Sequence, residues 1–183
     1  MDTAATLSSA AAALVNTTQG IRADQFGQTT PCGDWTVQEL MNHLTGSLEY
    51  FAAAAEGKKV DIKPAPAAGF DETVQRLQQS AQAMAGAWSK PAPPEPEGAS
   101  GGGMPRSALA AIAASETLTH AWDLARATGQ QSPARDLKLG DLLGTMQQTL
   151  KPEARQPAFG PEQKAPEGCP DIDRLAAFLG RTV

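Results

Sequence analysis

Apolar residues recur every three to four positions along most of this chain, and nowhere with the period of two that a half-buried strand requires. That periodicity confines the fold to helices packed on helices. Leu7, Leu14 and the alanines between them predict a first helix over residues 3–19. Thr36 and Glu39 then form an S/T-x-x-E capping box. Behind it Val37, Leu40, Met41, Leu44, Leu48 and Phe51 trace a narrow apolar stripe, which stops at Gly57 and two lysines. After the linker "KPAPAAG", Asp71 and Glu72 open a third helix whose buried face carries Val74, Leu77, Ala81, Met84, Ala85 and Trp88. A fourth covers residues 105–128, starting at Pro105 and closed by Gly129. A fifth, shorter helix spans 139–150, and "DIDRLAAFLG" closes the chain with Asp171 as its expected N-cap.

Four long helices with short accessory ones predict an all-α bundle, a single domain over residues 1–183. Only 5% of the residues are aromatic and alanine is abundant, so the helices should approach closely. The segment "KPAPPEPEGASGGGMP", residues 90–104 and the proline after them, is too long for a plain turn. It is expected to be a crossover or a lid near a site. It is not a domain boundary, because neither flank has a full core.

Charge narrows the partners. Fifteen basic against 20 acidic side chains give a net charge of -5 and no basic run, which excludes the phosphate-binding surface of a nucleic-acid partner. No stretch reaches the ~18 apolar residues of a membrane span. The Ala-rich start has no positive flank, begins with Asp2 and is broken by Asn16, Thr17 and Thr18, so it predicts a helix and not a secretion signal. A cytoplasmic location follows as the expectation, with Cys32 and Cys169 as reduced thiols and not a disulfide.

Only two histidines occur, and both fall within helices. At 100° per residue, Leu109, Ile112, Ala113, His120, Asp123, Leu124 and Ala127 all lie within about 80° of Glu116. A carboxylate in the middle of such a face is costly unless it is paired or metal-bound. His43 lies at the edge of the second helix's stripe, one turn from Ser47 and two from Tyr50. Two helices of a bundle can bring these groups together in its core. Two imidazoles and a carboxylate suit zinc and leave a coordination position open, with Asp123 placed to orient His120 from behind. The alternative is a plain Glu–His pair at i, i+4 and an ordinary core histidine. Spacing alone leaves both standing. Cys32 is a candidate fourth ligand, but it fits better as a small buried hydrophobe. Trp35 and Trp122 are expected to be core anchors, and Arg126 to serve its helix's C-terminal dipole.

The segments "TTPCGDWTVQELMNHLTG", "ETLTHAWDLARATGQ" and "DRLAAFLGR" resemble the actinobacterial metal-binding branch of the DinB-like superfamily. That branch is related to the N-terminal domain of mycothiol-dependent maleylpyruvate isomerase. The match covers most of the chain and is weakest in the two Pro-rich connections. The resemblance implies an up-down-down-up four-helix bundle whose long connection crosses over. It also implies a divalent metal, commonly zinc, on positions matching His43, Glu116 and His120, and, in several relatives, transfer of mycothiol or a similar small thiol. The isomerase carries a further C-terminal domain, whereas only about 30 residues follow the bundle here, so isomerisation of maleylpyruvate is not expected.

Three functions therefore compete. In the first, the protein is a metal-dependent thiol S-transferase that takes a small-molecule thiol and an electrophile. The second is a metal-dependent hydrolase, in which Glu116 is a ligand and only Asp123 remains for proton transfer. The third is a non-catalytic metal or small-ligand binding protein. Nickel or iron could replace zinc, although nothing else points to oxygen chemistry. A homodimer is compatible with all three, but no exposed apolar heptad calls for one.

Overall fold

A computed structural model describes residues 2–93, 104–155 and 159–183. Six α-helices form among the described residues: α1 (Thr3–Gln19), α2 (Val37–Ala55), α3 (Phe70–Ser89), α4 (Arg106–Ala127), α5 (Gly140–Thr149) and α6 (Asp171–Phe178). Among the described residues no strand forms, and only Thr29 and Thr36 pair in an isolated bridge. The capping box of α2 is reciprocal: the Glu39 amide donates to Thr36 Oγ1, and the Thr36 amide donates to Glu39 Oε2 at 2.8 Å. Gly129 adopts a φ of 71° just beyond α4, the left-handed stop its sequence position predicted. Asp171 is not an N-cap. Pro170 holds that position, and Asp171 instead uses its carboxylate to accept the Leu139 amide at 2.9 Å and the Arg174 guanidinium at 3.1 Å.

Hydrogen bonds between helices fix their directions. Near the end of α2, Phe51 O accepts from Trp88 Nε1 at the end of α3, and Ala55 O accepts from Arg106 Nη1 at the start of α4. Near the end of α1, Thr18 Oγ1 accepts from Gln78 in the first half of α3, and Thr17 O accepts from Gln130 just after α4. Hence α1 and α4 run one way and α2 and α3 the other, which is up-down-down-up. Each of α1 and α2 packs against both α3 and α4. The core is mainly Leu and Ala, with Trp122, Leu118, Leu48 and Leu14 fully buried. Truncating one such leucine to alanine costs about 2–5 kcal/mol.

The connection that joins parallel helices is residues 56–69, between α2 and α3, and not the 90–104 segment. It must travel back the length of α2, and it does so in backbone contact with that helix. The Ala65 amide donates to Asn42 O at 2.9 Å. A Cβ on Gly46 would collide with Lys63 O, so only glycine admits the connecting segment there. Of the segment 90–104, residues 94–103 lie outside the described residues, and the expected lid lies there with them.

After α4 the chain folds back over the bundle. Trp122 Nε1 donates to Asp173 Oδ1 at 2.7 Å, tying α6 to α4. Gly160 and Gly180 cross so closely that a Cβ on Gly180 would stand 2.8 Å from Gly160 Cα, and Arg155 bridges both arms by donating to Gly160 O and Phe178 O. This crossing carries Phe159 and Arg181 to the bundle's flank, where the histidines are.

Candidate metal centre

The capping box starts α2 at Val37, and His43 follows six residues later on the edge of its apolar stripe. From α4, Glu116 and His120 project from adjacent turns toward it. The two helices are antiparallel neighbours, so residues 73 apart in sequence meet. His43 Nε2 lies 2.8 Å from Glu116 Oε1, and His120 Nε2 lies 3.4 Å from the same oxygen. One ligand atom from each of the three falls within 4.8 Å of the others. Ser47 Oγ donates to Glu116 Oε1 at 3.4 Å. Tyr50, two turns from His43, does not line the cavity beside this cluster.

A second carboxylate stands behind the imidazole of His120. His120 Nδ1 is 2.9 Å from Asp123 Oδ2, and Asp123 is fully buried. Its two oxygens also accept from Arg181, at 3.2 Å from Nε and 2.9 Å from Nη2. Arg181 donates further to Leu179 O and to Cys32 Sγ, the latter at 3.4 Å. The Asp123 carboxylate therefore holds a proton on Nδ1 and turns Nε2 toward Glu116.

Electrostatics follow from this packing. Burial by itself would raise the Glu116 carboxyl, but His120 and His43 outweigh it and hold it well below the usual carboxylate range. Burial would lower His120, yet the Glu116 and Asp123 carboxylates raise it well above an ordinary imidazole. Asp123 is lowered, its burial overcome by His120 and Arg181, and Arg181 is raised by Asp123 against its own burial.

A cavity of about 660 Å³ opens beside the cluster. The Pro31–Trp35 loop, α2, α4, the crossover at Ile62 and the returning tail form its walls. Two sequence expectations fail here. Trp35 is no core anchor: it is 38% exposed and lies over His43, ring centres 4.6 Å apart. Its partner in that expectation, Trp122, is fully buried. Cys32 is only half-buried, on the cavity wall, and its sulfur groups with His120 and Asp123 rather than with the His43–Glu116–His120 triad. Both cysteines are free thiols, and Arg126 sits in the last turn of α4, its guanidinium 5.3 Å from the Trp122 ring centre.

Sequence reasoning missed Arg181. A signal existed: a buried aspartate on the apolar face of α4 calls for a cation, and "FLGR" supplies one after a glycine that can turn the chain. Also unforeseen were Ser115 and Thr119, which line the cavity and whose buried hydroxyls have no partner among the described residues.

The donor set fits a divalent ion. Two imidazole nitrogens and one carboxylate oxygen converge from two rigid helices, with a cavity on the open side. Tetrahedral zinc with bonds of about 2.0–2.2 Å needs ligand atoms about 3.3–3.6 Å apart. The 3.4 Å from His120 Nε2 to Glu116 Oε1 meets this, while the hydrogen-bonded His43–Glu116 pair, at 2.8 Å, must open by about half an ångström to admit the ion. Such a bundle, with a His–Glu–His cluster between two of its helices, defines a class of helical candidate metal-binding proteins. The chain belongs to the family described as "Mycothiol maleylpyruvate isomerase N-terminal domain", which it matches over residues 7–125. It is also 33% identical over 171 residues to two proteins, from two strains of Mycobacterium tuberculosis, named "Uncharacterized protein MT0763" and "Uncharacterized protein Rv0738". That similarity covers 89% of this chain and 88% of each relative. No solved structure matches. No described helix is long and apolar enough to cross a membrane.

Proposed function

We propose that His43, Glu116 and His120 bind one divalent ion, zinc in the first instance, and that the protein is a metal-dependent transferase of a low-molecular-weight thiol such as mycothiol. The convergence of three ligand atoms beside an open cavity, with His120 held from behind by Asp123, carries the metal assignment. The thiol assignment rests on the family and on the shape of the site. A divalent ion supplies Lewis acidity, which favours the thiolate form of a thiol at neutral pH.

The protein's own groups do the rest. Asp123 keeps the His120 proton on Nδ1, so that Nε2 offers its lone pair to the ion. Glu116 contributes the one negative charge among the ligands and moderates the ion's charge. Ser47 holds the Glu116 carboxylate in place from α2. The apolar walls at Phe51 and Ile112 exclude water and so strengthen every electrostatic contact inside. Hydrolysis is the weaker reading, because the carboxylate that would have to move a proton, Asp123, is fully buried and committed to Arg181 and His120.

Metal content of the purified protein, measured by inductively coupled plasma mass spectrometry beside His43→Ala, tests the first half. About one equivalent of metal in the wild type, lost in the variant, is expected from three-ligand coordination. Thiol consumption with a model electrophile tests the second, and metal-loaded protein that consumes none overturns it.

A further inference from the structure

Three large apolar side chains stand exposed among the described residues: Trp35 at 38%, Val60 at 46% and Ile62 at 51%. Two of them, Trp35 and Ile62, line the cavity beside the metal centre, and Val60 is two residues away on the same crossover. Isolated exposed apolar residues need no explanation, but their concentration at one mouth does. Trp35 is held at this position. The Thr30 amide donates to Trp35 O at 2.8 Å, and the Trp35 amide donates to Cys32 O at 3.4 Å. The crossover bearing Ile62 is fastened to α2 at Gly46 and Asn42. The indole N–H groups of Trp88 and Trp122 each donate to a protein oxygen, whereas that of Trp35 has no acceptor among the described residues.

The deeper wall continues in kind. Phe51, Ile112 and Phe159 line it, and the one guanidinium there, Arg181, is spent on Asp123. An anionic ligand body would find no free cation on that wall, while a flat uncharged one finds an indole face. The volume, about 660 Å³, lies in the usual range for small organic ligands.

We infer that Trp35 and Ile62 form the seat of the second substrate, and that this substrate carries an uncharged aromatic group laid against the indole beside His43. This assignment rests on the transferase reading for the word substrate, but the seat itself is defined by the apolar wall and not by the ion. Trp35 sets specificity by contact with the ligand's ring. It is not a metal ligand.

The test is binding of N-phenyl-1-naphthylamine, a neutral aromatic probe that fluoresces in apolar sites, to full-length protein in zinc-loaded and metal-free forms. One site of similar affinity is expected in both forms. Trp35→Ala should weaken binding roughly tenfold and Trp35→Phe much less, as loss or retention of an aromatic contact requires. Ile62→Ser, on the facing wall, should also weaken it, whereas Val60→Ser should not. Equal affinity in wild type, Trp35→Ala and Ile62→Ser overturns the seat, as does absence of binding to either form. A saturated analogue with no ionisable group, dicyclohexyl ether, competing as well as the aromatic probe, would overturn its aromatic character. Failure of zinc binding with probe binding intact would sink the metal reading alone and leave this seat standing.

Discussion

Replacing Arg181 with methionine should be among the most damaging single changes outside the metal ligands, because it removes the cation from a carboxylate that has no access to water. Asp123 is fully buried, and Arg181 reaches it through two hydrogen bonds of 3.2 and 2.9 Å. Breaking a buried ion pair by deleting one partner costs about 3–5 kcal/mol, mostly for the charge left behind. Asp123 retains His120, so the lower end, about 3 kcal/mol, is the expected loss. For a chain of this length that corresponds to a fall in Tm of roughly 6–12 °C, measured by calorimetry on metal-free protein. The companion variant Asp123→Asn should lose stability too, but the double variant should lose less than the sum, by roughly 1–3 kcal/mol. Zinc affinity should fall about 10- to 100-fold in Arg181→Met, because His120 loses the fixed support behind it. Additive stabilities in the cycle, or a Tm within 2 °C of wild type, would refute the claim that the tail's arginine neutralises the core aspartate.

Metal-free protein should be most stable between pH ~4.3 and ~6.5, the ordinary Glu and His values. The lowered Glu116 adds stability above the first value that is lost as pH falls, and the raised His120 adds stability below the second that is lost as pH rises. A steady rise in Tm from pH 6 to 9 would contradict this. Metal uptake near pH 7 should release about one proton, seen as a dependence of calorimetric heat on buffer, and the apparent affinity should drop as pH falls. Thr119→Val and Ser115→Ala should each be neutral or stabilise by about 1 kcal/mol in thermal melts, since each removes a buried hydroxyl without a protein partner. Gly46→Ala should destabilise by about 1–3 kcal/mol, as its Cβ would force the Lys63 carbonyl away from α2.

The periodicity of apolar residues was enough to place all six helices, because a 3.6-residue repeat is a local property of the chain. It also put Glu116, His120 and Asp123 on one face of α4, and that face is where they stand. Pairwise matters between distant segments were not legible in this way. Nothing local distinguishes Trp35, exposed over an imidazole, from Trp122, sealed in the core, since both follow the general tendency of tryptophan to be buried. Arg181 reaches Asp123 only because Gly160 and Gly180 let the tail cross closely, a contact between segments with no shared pattern. The more Pro- and Gly-rich connection, residues 90–104, carries the expectation of a crossover or a lid, but composition says where a chain cannot be regular, not how far it must travel. The 56–69 segment joins parallel helices for a reason seen only once the helix directions are known.

The way that crossover is fastened has a consequence for how the protein can change. Its path beside α2 is set by main-chain atoms, Lys63 O over Gly46 and the Ala65 amide on Asn42 O, and not by what its side chains are. Ile62 projects into the cavity from a track that would be the same for a valine, a phenylalanine or a serine there. One turn away, His43 sits on the same helix and is tied to Glu116. The cavity thus has an interchangeable wall mounted on an invariant one. Descendants of this chain could drift in the molecules they accept by exchanging residues along 58–63, without moving the imidazoles and the carboxylate.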